Sequence, residues 1–280
     1  MATLLRDARV RATDELRYEP TEKRVRAELG GHVVADSTRA VLVWEPRRVL
    51  PSYAVPHDDL RGELLPSTGT PQSVEHSAEQ QILHGAIPFG VHSTGGEALT
   101  VRVGDHERER AAFRPADRDL SDYVILDFHA FDAWYEEDEP ILAHPRDPFH
   151  RVDIRQSSRH VRIELESELL AESARPRLVF ETSLPVRFYL PREDVRVELR
   201  PTDKRTHCAY KGEASYWAFD VNGSERAGLL WSYERPLRDA ADITGLLAFF
   251  DEKVEVTVDG QRRGAPRGAI AATIAQEAGV

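Results

Sequence analysis

The most chemically dense stretch of this 280-residue chain is Thr206-His207-Cys208-Ala209-Tyr210-Lys211-Gly212-Glu213-Ala214-Ser215-Tyr216-Trp217, which carries the only cysteine beside a histidine. A thiol next to an imidazole, with Lys211 three residues on, is the side-chain set of a thiolate nucleophile. A cation that points inward lowers the thiol pKa, and the thiolate suits acyl transfer or redox chemistry on a small molecule. Neighbours on a regular strand face opposite sides, so His207 and Cys208 cooperate only in a loop or bulge, which the absence of alternation around them permits. The plainer reading is that a lone cysteine packs as a small hydrophobe and that Trp217 and Trp231 are core. A second chemistry is recognition. Tyr189, Tyr210, Trp217, Trp231 and Tyr233 offer ring faces to a planar or cationic ligand, while His207, Lys211 and Arg192 suit a carboxylate or phosphate.

Composition narrows the classes. Hydrophobic residues make up 41% and charged residues 30%, a globular balance. The net charge of −11 repels phosphate backbones and anionic lipid, so neither nucleic acid nor a membrane is expected as a partner. The first apolar run is too short for a signal-peptide core, and no stretch approaches the ~20 apolar residues of a membrane span. One cysteine allows no internal disulfide, which fits a reducing compartment, and a cytoplasmic location is expected.

The elements that must position these residues are short strands, repeated. Val25-Arg26-Ala27-Glu28-Leu29 alternates with period two, Gly30-Gly31 turns, and His32 to Asp36 returns; Ala40 to Glu45 is a more buried run. The pattern recurs at an offset of about 136 residues. Val161 to Leu165 matches Val25 to Leu29, Leu170 to Ser173 matches Val34 to Ser37, and Arg177 to Glu181 matches Val41 to Glu45. Phe188 to Asp194 then answers Tyr53 to Asp59 one residue closer. Ungapped agreement of Ala-(Asp/Glu)-Ser and a terminal Glu indicates a duplicated domain. The reading is therefore a mainly β protein with a first copy over 1–143, a linker over 144–150, a second copy over 151–262 and a tail over 263–280.

Further strands follow in each copy. In the second, Ser215 to Val221 meets Arg226 to Trp231 through Asn222-Gly223, a strong hairpin signal. Val254 to Val258 alternates, and Ile243 to Phe250 reads as a helix capped by Asp242. In the first, Leu120 to Phe128 stands for that helix. Residues 1–17 read as a loose lead-in, 66–90 as a long surface loop or mobile insertion, and Ala269 to Ala278 as a short helix or a frayed end. His76, His84, His92, His144 and His150 read as solvated rather than metal-binding, and Glu136 to Glu139 as a solvated acidic edge.

The duplication supplies an internal control: a side chain the fold needs has an equivalent in both copies. Against His207, Cys208, Tyr210 and Lys211 the first copy sets Val91, His92, Thr94 and Gly95. Phe113 replaces Trp231, and Pro115 replaces Tyr233. A ligand site is accordingly expected in the second copy.

These residues also carry a resemblance. Val161-Arg162-Ile163, Phe188-Tyr189-Leu190-Pro191-Arg192-Glu193-Asp194-Val195, Thr206 to Trp217 and Trp231-Ser232-Tyr233-Glu234-Arg235-Pro236-Leu237 resemble the family catalogued as domain of unknown function 427, also labelled a nucleotidyltransferase-like domain. The first copy looks like the same domain without the His-Cys signature. The resemblance implies two tandem β-tent (Mss4-like) domains of antiparallel strands, each with at most one short helix. Relatives of that fold hold zinc through paired Cys-x-x-Cys motifs; one cysteine excludes a four-thiolate site, so no metal is expected. Neither a glycine-rich phosphate loop nor a paired-aspartate motif supports nucleotidyl transfer, and no cofactor is expected. The function expected is small-molecule binding in a cleft of the second copy. An enzyme using Cys208 or His207, and an interaction protein in which both copies only pack, are the alternatives.

Overall fold

Each half of the chain builds a seven-stranded and a four-stranded antiparallel sheet, and the two halves use one strand order. The computed structural model describes residues 2–68, 72–73, 82–85 and 87–264, in units Met1–Asp147 and Pro148–Val280. In the first unit the large sheet runs Arg17–Pro20, Val41–Trp44, Ser52–Pro56, Tyr123–Leu126, His106–Pro115, Gly96–Val103, Glu63–Pro66. In the second it runs Val152–Gln156, Arg177–Glu181, Arg187–Leu190, Leu247–Phe249, Ser224–Ser232, Gly212–Val221, Arg200–Cys208. The small sheets centre on Val25–Leu29 beside Ala133–Glu136 and on Val161–Leu165 beside Glu255–Val258. The offset is kept in register: Val25 pairs with Ser37 and Val161 with Ser173, each hairpin with one irregularity at the matching place. None of these sheets closes into a barrel.

Alternation along the strands gives each large sheet two apolar faces. In the second unit one face packs Leu178, Phe188, Leu190, Phe219, Leu230 and Phe249 against Val161, Ile163, Val256 and Val258 of the small sheet. The other carries Val179, Tyr189, Tyr216, Trp231 and Tyr233, covered by Ala240 and Ile243. In the first unit the corresponding outer face is Val41, Val43, Ala54, Phe113, Leu120 and Ile125.

Several expectations need correction. Ile243 to Phe250 is not a helix. A 3-10 turn spans Arg238–Ile243, and Leu247–Phe249 is a central strand between Arg187–Leu190 and Ser224–Ser232. A strand buried on both faces reads as a continuous apolar run, as a buried helix does, and Gly245 at φ +67° breaks any helical path. Tyr123–Leu126 is its counterpart in the first unit. The lead-in contains a helix over Leu5–Arg11 and a strand from Arg17. Within 66–90, Ile82 and Leu83 are buried, and Leu83 exchanges backbone hydrogen bonds with Arg47 and Val49; His76 and 269–278 lie outside the described residues. Glu136 is buried, accepting from the Tyr53 hydroxyl at 2.7 Å and from Lys23 at 2.6 Å, so only part of the acidic run is solvated. Residues 206–208 are not a loop but the end of the edge strand Arg200–Cys208. An edge strand wets one side, which removes the apolar alternation that reveals inner strands.

The Asn222-Gly223 turn has φ of 49° and 77°, and nothing lies within 4 Å of a Cβ added to Gly223. A side chain there meets only backbone strain. Gly223→Ala is expected to lower stability by about 1 kcal/mol, read by urea denaturation; an unchanged midpoint would refute the role given to this turn.

Candidate functional site

Strand pairing decides which of the chemical residues share a face. Tyr189 pairs with Ala248, Ala248 with Trp231 and Trp231 with Tyr216, so all four stand on one side of the large sheet. Arg177 pairs with Tyr189, which puts Val179 and Glu181 on the same side by alternation. Cys208 pairs with Gly212 and Thr206 with Ala214, two residues from Tyr216; the Thr206 hydroxyl lies 3.1 Å from the Tyr216 hydroxyl. Cys208 therefore belongs to the tyrosine face.

His207 belongs to the opposite face. It pairs with Glu213, and its Nε2 lies 3.2 Å from the Glu213 carboxylate in solvent. The imidazole and thiol that adjoin in sequence are thus turned apart by the strand. Trp217 and Arg192 also leave the tyrosine face. The Trp217 indole donates to Ser232 Oγ at 2.9 Å, and the Arg192 guanidinium lies 4.2 Å from its ring centroid while pairing with Glu234. Of the nine candidate residues, Tyr189, Cys208, Lys211, Trp231 and Tyr233 come together, with Tyr210 at the rim of the group.

Their centre is a residue the sequence marked only as part of the repeat. The Glu181 carboxylate, 8% exposed, accepts from His150 Nε2 at 3.0 Å and is ion-paired to the ammonium of Lys211. The His150 ring stacks on Tyr210 with centroids 4.1 Å apart, so His150 is not the solvated linker residue expected from sequence. Burial alone would raise the Glu181 pKa. The hydrogen bonds and charges of His150 and Lys211 overcome it and pull the carboxyl down to about 2. Tyr189 takes the Trp231 indole N–H at 3.1 Å, and burial pushes its phenol well up. Burial raises Tyr233 too; among the described residues its hydroxyl has no hydrogen-bond partner, but it is not sealed from solvent. Both missed residues had a faint signal: Glu181 and Glu45 are charges that end an apolar run at the same place in each copy.

The first unit holds its carboxylate differently. Glu45 lies 3.0 Å from His92 Nδ1, accepts the Ser93 amide at 2.9 Å and stands 3.8 Å from the Arg48 guanidinium. His92 is buried and stacked 3.7 Å from Phe113, so it too is not solvated. Where the second unit has Tyr189, Trp231 and Tyr233, the first has Ala54, Phe113 and Pro115. Among the described residues no group of three or more His, Cys, Asp or Glu could hold a metal ion.

Removing one partner of a buried ion pair leaves an uncompensated charge. Lys211→Met is expected to cost about 3 kcal/mol, and Lys211→Met with Glu181→Leu to recover most of it, measured by denaturant unfolding. The depressed Glu181 pKa also sets an acid limb. Its contribution is complete above about 4.5, the ordinary carboxyl value, and is lost as the pH falls towards 2. The double variant should flatten stability across that window; an undiminished acid slope would show that Glu181 does not set it.

A family model described as Domain of unknown function (DUF427) matches residues 17–81 and 153–260. No curated protein matches the chain. The matched segments cover more than half of the sequence and fall one in each unit, and the chain belongs to the domain of unknown function 427 family as a tandem, two-copy member.

Proposed function

We propose that the protein binds a small molecule on the tyrosine face of its second unit, at the cluster of Glu181, Lys211, Tyr189, Tyr233 and Cys208. The observation that carries this reading is the Tyr233 hydroxyl. The ring of Tyr233 is buried, but its hydroxyl stays open to solvent with no partner among the described residues, so it can bond a ligand, and Pro115 at the equivalent place in the first unit means that the fold does not require it. The ammonium of Lys211 has donors beyond the one given to Glu181, and Trp231 and Tyr210 add ring surface. A ligand with a carbonyl or carboxylate on a flat body suits that combination. Thiol chemistry at the same cluster is the second reading, favoured by Cys208 standing on this face; its base would be other than His207. A β-tent arrangement, for which the pairing of a large and a small sheet over one core speaks, and a cytoplasmic location complete the proposal.

A metabolite library screened by thermal shift against the full chain tests it. Members that stabilise the protein should also quench tryptophan fluorescence and slow alkylation of Cys208 by iodoacetamide. Tyr233→Phe should weaken them about tenfold, the worth of one hydrogen bond, without lowering the melting temperature of the unliganded protein. Ligands that bind Tyr233→Phe as tightly as the wild type, and leave the thiol equally reactive, would overturn the site. Turnover of a bound ligand that is abolished in Cys208→Ser would favour the second reading.

A further inference from the structure

A cavity of about 500 Å3 lies in the second unit between its two sheets, away from the tyrosine face. Leu178, Phe188 and Val258 form its apolar wall, and Arg159, Arg262 and Arg263 stand around it. None of the residues of the Glu181 cluster lines it. Its size is that of a small-molecule site.

The first unit shows why the space is open. The repeat sets Lys23 against Arg159 and, one residue closer, Tyr53 against Phe188, and the strand register sets Glu136 against Val258 and Trp134 against Val256. In the first unit Tyr53 and Lys23 both bond to Glu136, and Trp134 stacks on Tyr53 at 5.2 Å, so side chains fill the gap between the sheets. The second unit replaces that carboxylate by Val258, the phenol by Phe188 and the indole by Val256. The basic residue loses its buried partner, and Arg159 pairs instead with exposed Asp259 at 2.7 Å. The space opens to solvent, and covering the apolar wall of Leu178, Phe188 and Val258 removes it from water, which favours an occupant with an apolar body.

We propose that this cavity binds an amphipathic carboxylate, an aliphatic or aromatic body with one anionic head. The body replaces the missing Tyr53–Trp134 filling against Leu178, Phe188 and Val258. Phe180, 37% exposed, extends the apolar surface outward. The head takes the place of the Glu136 carboxylate. Three guanidiniums against one carboxylate, Asp259, line the cavity. Arg263 is engaged by buried Asp251 at 3.0 Å and lies 4.8 Å over the Phe188 ring. Among the described residues Arg159 and Arg262 pair with exposed Asp259 and Glu255, and such pairs are weak enough for a ligand carboxylate to compete with them.

Titration of the full chain with decanoate, decanol and decyltrimethylammonium, followed by calorimetry, tests this. Decanoate should bind saturably and about tenfold or more tightly than either comparator, as a charge-assisted contact provides. The double variant Phe188→Tyr with Val258→Glu transplants the first unit's closure and should abolish binding. Arg159→Gln with Arg262→Gln should bring decanoate down to the level of decanol. Should the closing variant not fold, methyl signals of the wild-type protein decide: those of Leu178, Val186 and Val258 should shift on adding decanoate. Equal affinity for the three probes, binding that survives the closing variant in folded form, or methyl shifts confined to other residues would each overturn the proposal.

Discussion

A carboxylate that each unit carries onto a buried sheet face constrains everything around it. Glu181 ends its strand, Glu45 directly follows the equivalent one, and both are nearly excluded from water. A buried charge has to be paired and hydrogen-bonded or the unit loses several kcal/mol. The first unit solves this with His92, a backbone amide and Arg48. The second uses Lys211 and His150. Lys211 sits in the turn that follows the edge strand, and His150 precedes the second unit's first strand, so satisfying Glu181 ties both ends of the large sheet to one point.

The consequence is a difference in what else each face contains. With His92 stacked on Phe113, the first unit's outer face becomes closely filled apolar packing. The second unit supplies Glu181 from the edges of the sheet and leaves its middle to Tyr189, Tyr216, Trp231 and Tyr233. The opposite side of the same sheet repeats the lesson with other residues. There the first unit bridges its sheets with Tyr53 and Glu136, while the second has Phe188 and Val258 and an open space.

Much of this was legible locally. The duplication, the hairpin turns and the mainly β class follow from alternation, from glycines and from a constant offset, all properties of neighbouring residues. Val161 to Leu165 and the Asn222-Gly223 turn read correctly for that reason. Leu247 to Phe249 did not, because a strand covered on both sides loses the alternation by which strands are recognised. Arg200 to Cys208 gave no strand signal for the converse reason: an edge strand is polar enough to lack the apolar alternation.

The order of residues establishes that two copies of one β domain follow each other and that the later copy holds the thiol, the lysine and most of the rings. Which of them meet depends on how the strands pair. Register sends His207 away from Cys208 and brings Cys208 to the side of Tyr189. It also joins Glu181 to partners 30 and 31 residues away. Side-chain direction in a strand has a period of two, so a single bulge or a one-residue change of pairing reverses it. That choice is made by contacts between distant strands, which no local pattern in the chain records.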